Sequence, residues 1–134
     1  YVGYIPTEEC LLQLVNTDFE FIKGRRRRNA DILLWGLSGM RSCTLLHKSR
    51  NEDDTPLFVP ILVNGNRDAL REYLIDNQVY CPVHWPLSDY HRRLSERGKI
   101  IYEEELSLVC DQRYGEEDME KVVKLIRDYF NERI

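Results

Sequence analysis

From Glu116 to Arg133 the apolar residues fall at three- and four-residue intervals: Met119, Val122, Val123, Ile126, Tyr129 and Phe130. That spacing gives a helix one continuous apolar face, and such a face is stable only when another layer covers it. The covering layer is also in the chain. Ser42–His47, Leu57–Val63, Val79–Val83 and Leu106–Cys110 are short apolar runs, too brief for core helices and suited to strands. A helix that must be covered, beside several short strands, points to helices packed on a small sheet.

Local signals set the order of the elements. Thr7 caps a short first helix, with Glu8 and Glu9 favouring its positive end. A longer helix follows Asp18 and runs to about Leu37, with Phe19, Ile22, Arg26, Asn29, Leu33 and Leu37 on one face and Gly36 and Gly39 as its stop. After the first two strands, Asn64-Gly65-Asn66 makes a turn into a helix over Asp68–Asn77. Ser88 or Asp89 can cap a polar helix that ends at Gly98. The expected class is α+β: a mostly antiparallel sheet of three to four strands covered by helices. Pro60 and Pro82 lie inside predicted strands and cannot donate to a ladder, so those strands are expected at edges or at a bulge.

The 134 residues suit one domain, residues 1–134, divided into a helical segment over 1–39 and an α+β core over 40–134. A chain of this length buries roughly two-thirds of its unfolded surface and needs no disulfide or metal. Nineteen basic and 23 acidic residues leave a net charge of −4, which argues against nucleic acid as a partner. No apolar run is long enough for a membrane helix. Four scattered cysteines without a C-x-x-C pair suit a reduced, cytoplasmic protein. The chain opens at Tyr1 without Met, so its true N-terminus is expected elsewhere.

Candidate chemistry is sparse. Arg25-Arg26-Arg27-Arg28 would spread around a helix rather than form one binding stripe, so solvated or stem-packed arginines are the simpler reading. Cys81, His84 and Cys110 fall short of two close ligand pairs, and no metal site is expected. No Gly-rich phosphate loop, nucleophile elbow or H-E-x-x-H helix is present. Two loops after strands remain, His84-Trp85-Pro86 and Asp111-Gln112-Arg113-Tyr114, each packing aromatic and hydrogen-bonding groups into a turn. Binding at these loops and simple local packing both remain open on the residues alone.

Those loops carry a resemblance. Tyr80-Cys-Pro-Val-His-Trp-Pro86, Leu106-Ser-Leu-Val-Cys-Asp-Gln-Arg-Tyr114 and Gly115-Glu-Glu-Asp-Met119 resemble the C-terminal part of DegT/DnrJ/EryC1/StrS-type aminotransferases. Arg25-Arg-Arg-Arg-Asn29-Ala-x-x-Leu33 and Phe58-Val-Pro-Ile-Leu-Val63 match the same family's long helix and first small-domain strand. Val109 departs from the pattern, where the family commonly has proline. The resemblance implies a pyridoxal-phosphate enzyme of the aspartate-aminotransferase fold, with this chain as its small domain and the large cofactor-binding domain absent.

It also implies a parent that is a homodimer acting on a small molecule such as a nucleotide-linked keto-sugar. In that picture His84, Trp85, Arg113 and Tyr114 are substrate-binding or domain-interface candidates, with no catalytic residue and no cofactor in this chain alone. Some relatives are dehydratases or inactive, which only the absent domain would reveal. The rival outside the family is a stand-alone, non-catalytic α+β module that binds a ligand or a protein.

Overall fold

The computed structural model describes residues 5–84 and 95–132. Its elements run α1 (Glu8–Val15), α2 (Phe19–Gly36), β1 (Cys43–Leu45), β2 (Phe58–Val63), α3 (Arg67–Asp76), α4 (Glu96–Glu104), β3 (Glu105–Val109) and α5 (Glu116–Phe130). The strands form one antiparallel sheet in the order β1-β2-β3. The class is the expected α+β.

The helix starts follow the sequence closely. Thr7 Oγ1 accepts the Cys10 N–H, Asp18 accepts that of Phe21 and Asn66 that of Ala69, each satisfying a donor that the first turn leaves free. On β2 the inner face carries Val59, Ile61 and Val63, buried against the helices, while Phe58, Pro60 and Leu62 are half-buried. Leu106 and Leu108 of β3, Leu33 and Leu37 at the end of α2, Leu70 and Leu74 of α3, and Met119 and Ile126 of α5 complete the core. Each such side chain is worth about 1.5–3 kcal/mol when fully buried.

Four expectations need correction. Pro60 is in the central strand, not at an edge, and the β2–β3 register passes through Pro60↔Ser107 without a bulge. Its nitrogen faces the β1 side just past the last ladder pair, Leu45↔Ile61, and its carbonyl accepts the Leu46 N–H at 3.1 Å. The proline thus falls where β1 is already ending, and the one bond it cannot donate, to the Leu46 carbonyl, is the last of that ladder. Secondly, residues 79–83 are not a strand. This segment touches the sheet through a single bond, Ser107 N–H to the Pro82 carbonyl at 3.4 Å, in which proline accepts and need not donate.

Thirdly, Gly98 does not end a helix. Ser95 Oγ accepts the Gly98 N–H at 3.2 Å, so Gly98 sits in the first turn of α4, and the proposed caps Ser88 and Asp89 lie outside the described residues. Lastly, Gly36 is the last residue of α2 rather than a conformational stop. A Cβ there would come within 2.5 Å of Val123 Cγ2, so glycine is what lets α2 and α5 approach. The left-handed residue of the exit is Gly39, with φ +74°. Arg127 of α5 then donates from Nε to the Gly36 carbonyl at 2.7 Å, placing a cation at the negative end of α2.

Candidate functional site

The turn after β3 is built from one buried carboxylate. Asp111 is 3% exposed, and its Oδ1 accepts the Arg113 backbone N–H at 2.9 Å. The Arg113 guanidinium wraps the same carboxylate through Nε and Nη2, while the Tyr114 N–H reaches the Asp111 carbonyl at 3.3 Å. Arg113 remains 72% exposed, with its guanidinium 5.8 Å from the centre of the Tyr114 ring. One edge of the guanidinium is therefore committed to Asp111. The other faces outward.

That guanidinium holds the Asp111 carboxyl below its ordinary value, the side-chain bond being the largest cause, with burial opposing it. A depressed folded pKa means the pair stabilises the fold above the unfolded value and loses that contribution as pH falls through the folded one. Asp111→Asn is expected to cost about 1 kcal/mol at neutral pH, a small figure because the arginine is solvated. The difference from the parent chain should shrink below about pH 4, since the unfolded carboxyl begins to protonate there. Urea titrations of both proteins from pH 2 to 7 check this. A gap that persists to pH 2 would mean that the charge of Asp111 contributes nothing.

His84 is exposed and sets its ring edge-on against Phe58, with centroids 4.7 Å apart. Phe58 opens β2 and pairs with Val109, the last residue of β3, so His84 and the Arg113–Tyr114 turn sit at the same end of the sheet. Tyr114 shares a cavity of about 80 Å³ with Val79, Tyr80, Cys81 and Val109, and the segment 79–84 thereby runs from the tyrosine to the histidine. No hydrogen bond or ring contact joins His84 to Arg113 or Tyr114 among the described residues. Trp85 lies outside the described residues.

The arginine run resolves into four separate contacts. Arg25 lies over the Phe21 ring, Arg26 Nε donates to Gln112 at 2.7 Å, Arg27 to the Asp54 carbonyl and Arg28 to Glu116. Two of these grip the turn and its following helix. Sequence reasoning missed the residue between them in importance, Asn29, which is fully buried and donates to backbone carbonyls of residues 110, 111 and 114. The signal was its place on the apolar stripe of α2, where a polar side chain must find partners.

The described residues offer no metal cluster, and no helix among them is long and apolar enough to cross a membrane. Nor does any lysine suit an internal imine. Lys23 and Lys99 pair with Glu20 and Glu96 on helix surfaces, Lys121 reaches the Asn77 carbonyl, and Lys48 and Lys124 are exposed. An imine-forming lysine is commonly desolvated, and each of these is ion-paired, hydrogen-bonded or exposed at the surface.

No protein-family model and no curated protein matches the sequence. Solved structures do. DesV from S. venezuelae, crystallised with a ketimine intermediate, superposes with a TM-score of 0.76 at 21% identity, over 93% of this chain and 36% of that one. The sugar aminotransferase CalS13 from Micromonospora echinospora gives 0.74 at 18%, over 89% and 33%. This is the fold of an aminotransferase small domain. The aminotransferase TlmJ from Streptoalloteichus hindustanus agrees, at 0.71 and 25% identity over 90% and 34%. The small domain described here thus spans about a third of the length of the aminotransferases it matches.

Proposed function

We propose that this chain is the small domain of a pyridoxal-phosphate-dependent sugar aminotransferase of the DegT/DnrJ/EryC1/StrS type, closing over a substrate site on a large domain. The observation that carries the reading is the match over about nine-tenths of this chain but only a third of each relative. The surface supports it. Helix α1 has no buried residue, and Leu11, Leu12, Leu14 and Val15 stand exposed together with Phe19 and Phe21 of α2. An apolar surface of that kind needs a partner, and the large domain of the same protein is the one this reading supplies. The exposed face of α1 and the start of α2 are then the docking surface, and the rest of α2 packs into the α+β core.

In the parent, the cofactor would supply the electron sink for exchanging an amine with a carbonyl, held by a lysine that this chain does not provide. The small domain contributes shape and hydrogen bonds. The outward N–H groups of Arg113 and the Tyr114 hydroxyl either orient substrate oxygens or brace the cap on the large domain, with His84 at the same end of the sheet and Trp85 a further candidate by resemblance alone. We take a nucleotide-linked keto-sugar as the substrate class, a homodimer as the parent assembly and the cytoplasm as its compartment.

The test compares the full-length protein with this chain. The full-length protein is expected to bind pyridoxal phosphate, and borohydride should then fix the cofactor to one lysine upstream of Tyr1. This chain should show neither cofactor absorbance nor a labelled lysine. Stoichiometric labelling of Lys23, Lys48, Lys99, Lys121 or Lys124, with turnover of an amino donor, would overturn the fragment reading. A full-length protein that starts just before Tyr1 would favour a stand-alone binding module.

A further inference from the structure

We propose that Asn29 is the positioning residue of the Arg113–Tyr114 turn, setting from the middle of α2 where that pair meets its ligand or partner domain. The inference rests on the reading above, in which the turn belongs to the site. Its physical basis is where the turn's backbone hydrogen bonds go. The N–H groups of Arg113, Tyr114 and Gly115 are satisfied by Asp111 Oδ1, the Asp111 carbonyl and Asp118 Oδ2. The carbonyls of Asp111 and Tyr114, and of Cys110 just before them, converge instead on one carboxamide. Asn29 Nδ2 lies 3.0 Å from the Asp111 oxygen, 3.1 Å from that of Tyr114 and 3.5 Å from that of Cys110.

Asn29 Oδ1 is buried without a partner among the described residues, so the side chain is held here by donating alone. Keeping an orphan acceptor in the core costs stability. That cost makes sense where the two N–H groups tie the carbonyls of the turn, which its own hydrogen bonds leave free, to α2. The other grips from α2, Arg26 on Gln112 and Arg28 on Glu116, lie at partly buried and exposed positions, where such pairs contribute little. Because α2 also carries the exposed apolar residues Phe19 and Phe21, Asn29 ties the docking surface and the turn to one rigid helix.

Amide hydrogen exchange on this chain is the direct test. In Asn29→Ala the Arg113 and Tyr114 amides should exchange at least about tenfold faster, while α3 and the β1–β2 ladder keep their rates. A uniform acceleration would show Asn29 to be ordinary core packing and overturn the proposal, as would an unchanged turn. Should the variant not fold, the wild-type chain decides. The Asn29 carboxamide protons and the turn amides should then share one protection factor, each rate being divided by its own intrinsic value, and unrelated protection factors overturn the proposal.

In the full-length protein, Arg113→Ala and Asn29→Ala should both raise KM by about tenfold with kcat within about twofold. No effect of Arg113→Ala on KM refutes the turn as a site, while the exchange data still decide whether Asn29 positions it. An effect of Arg113→Ala without one of Asn29→Ala overturns the positioning role alone.

Discussion

In the native chain Cys10 is expected to react with an aromatic disulfide reagent more than about a thousandfold faster than Cys43, Cys81 or Cys110. Cys10 lies on the exposed surface of α1, while the other three are buried free thiols. Burial pushes the Cys43 thiol up to about 11, with Glu132 adding to the shift, and pushes Cys81 and Cys110 up to about 12. The nucleophile is the thiolate, and at pH 8 a thiol of pKa about 12 is ionised only about once in ten thousand molecules. Packing closes the route as well, since Cys43 Sγ lies 3.7 Å from Met40 Sδ and Cys110 Sγ lies 3.6 Å from the Pro56 carbonyl. Counting thiols released with time, native and then in denaturant, separates one fast group from three that appear only on unfolding. Two or more fast groups would mean that the helix layer opens over the sheet. In the full-length protein of our proposal Cys10 should also slow, because α1 would be covered.

The largest stability change from one residue is expected at α5. Ile126 is fully buried in the core beneath α5, and Ile126→Ala should cost about 2–5 kcal/mol through lost burial and the cavity left behind. That is a large share of the 5–15 kcal/mol by which a domain is stable, so the variant should unfold at much lower urea or be partly unfolded without it. Ile126→Val should cost about 0.5–1.5 kcal/mol, and Trp35→Ala, at a position 83% exposed, within about 0.5 kcal/mol. Urea midpoints at constant m-value measure all three. Equal losses at Ile126 and Trp35 would mean that α5 is not packed into the core as described.

The arrangement gives the exposed apolar residues a meaning that composition alone could not. Leu11, Leu12, Leu14 and Val15 share one face of α1, and none of them enters the core. A short helix so placed gains little from its own chain, because helix formation costs more than a few turns return without packing. This is the physical link between the size of the match to known aminotransferases and the reading of the chain as one part of a larger protein.

What the sequence alone determined is local. Thr7, Asp18 and Asn66 cap helices because each side chain bonds an amide three residues on, and such pairs need no distant partner. The α5 stripe is equally local, since the 3.6-residue period places Met119, Val122, Val123 and Ile126 on one face in any surroundings. The turn after β3 was legible for the same reason, although the resemblance rather than chemistry singled it out. What only the tertiary structure decided involves partners far away along the chain. Pro60 is harmless in a central strand because β1 ends beside it, Gly36 is required because Val123 lies against it, and residues 79–83 lack the second ladder that would make them a strand. Asn29 is the clearest case: its partners lie 81 to 85 residues away, so its burial was legible but not its purpose. A hydrogen bond or a close contact depends on distance in space, and sequence spacing fixes that distance only within a few residues.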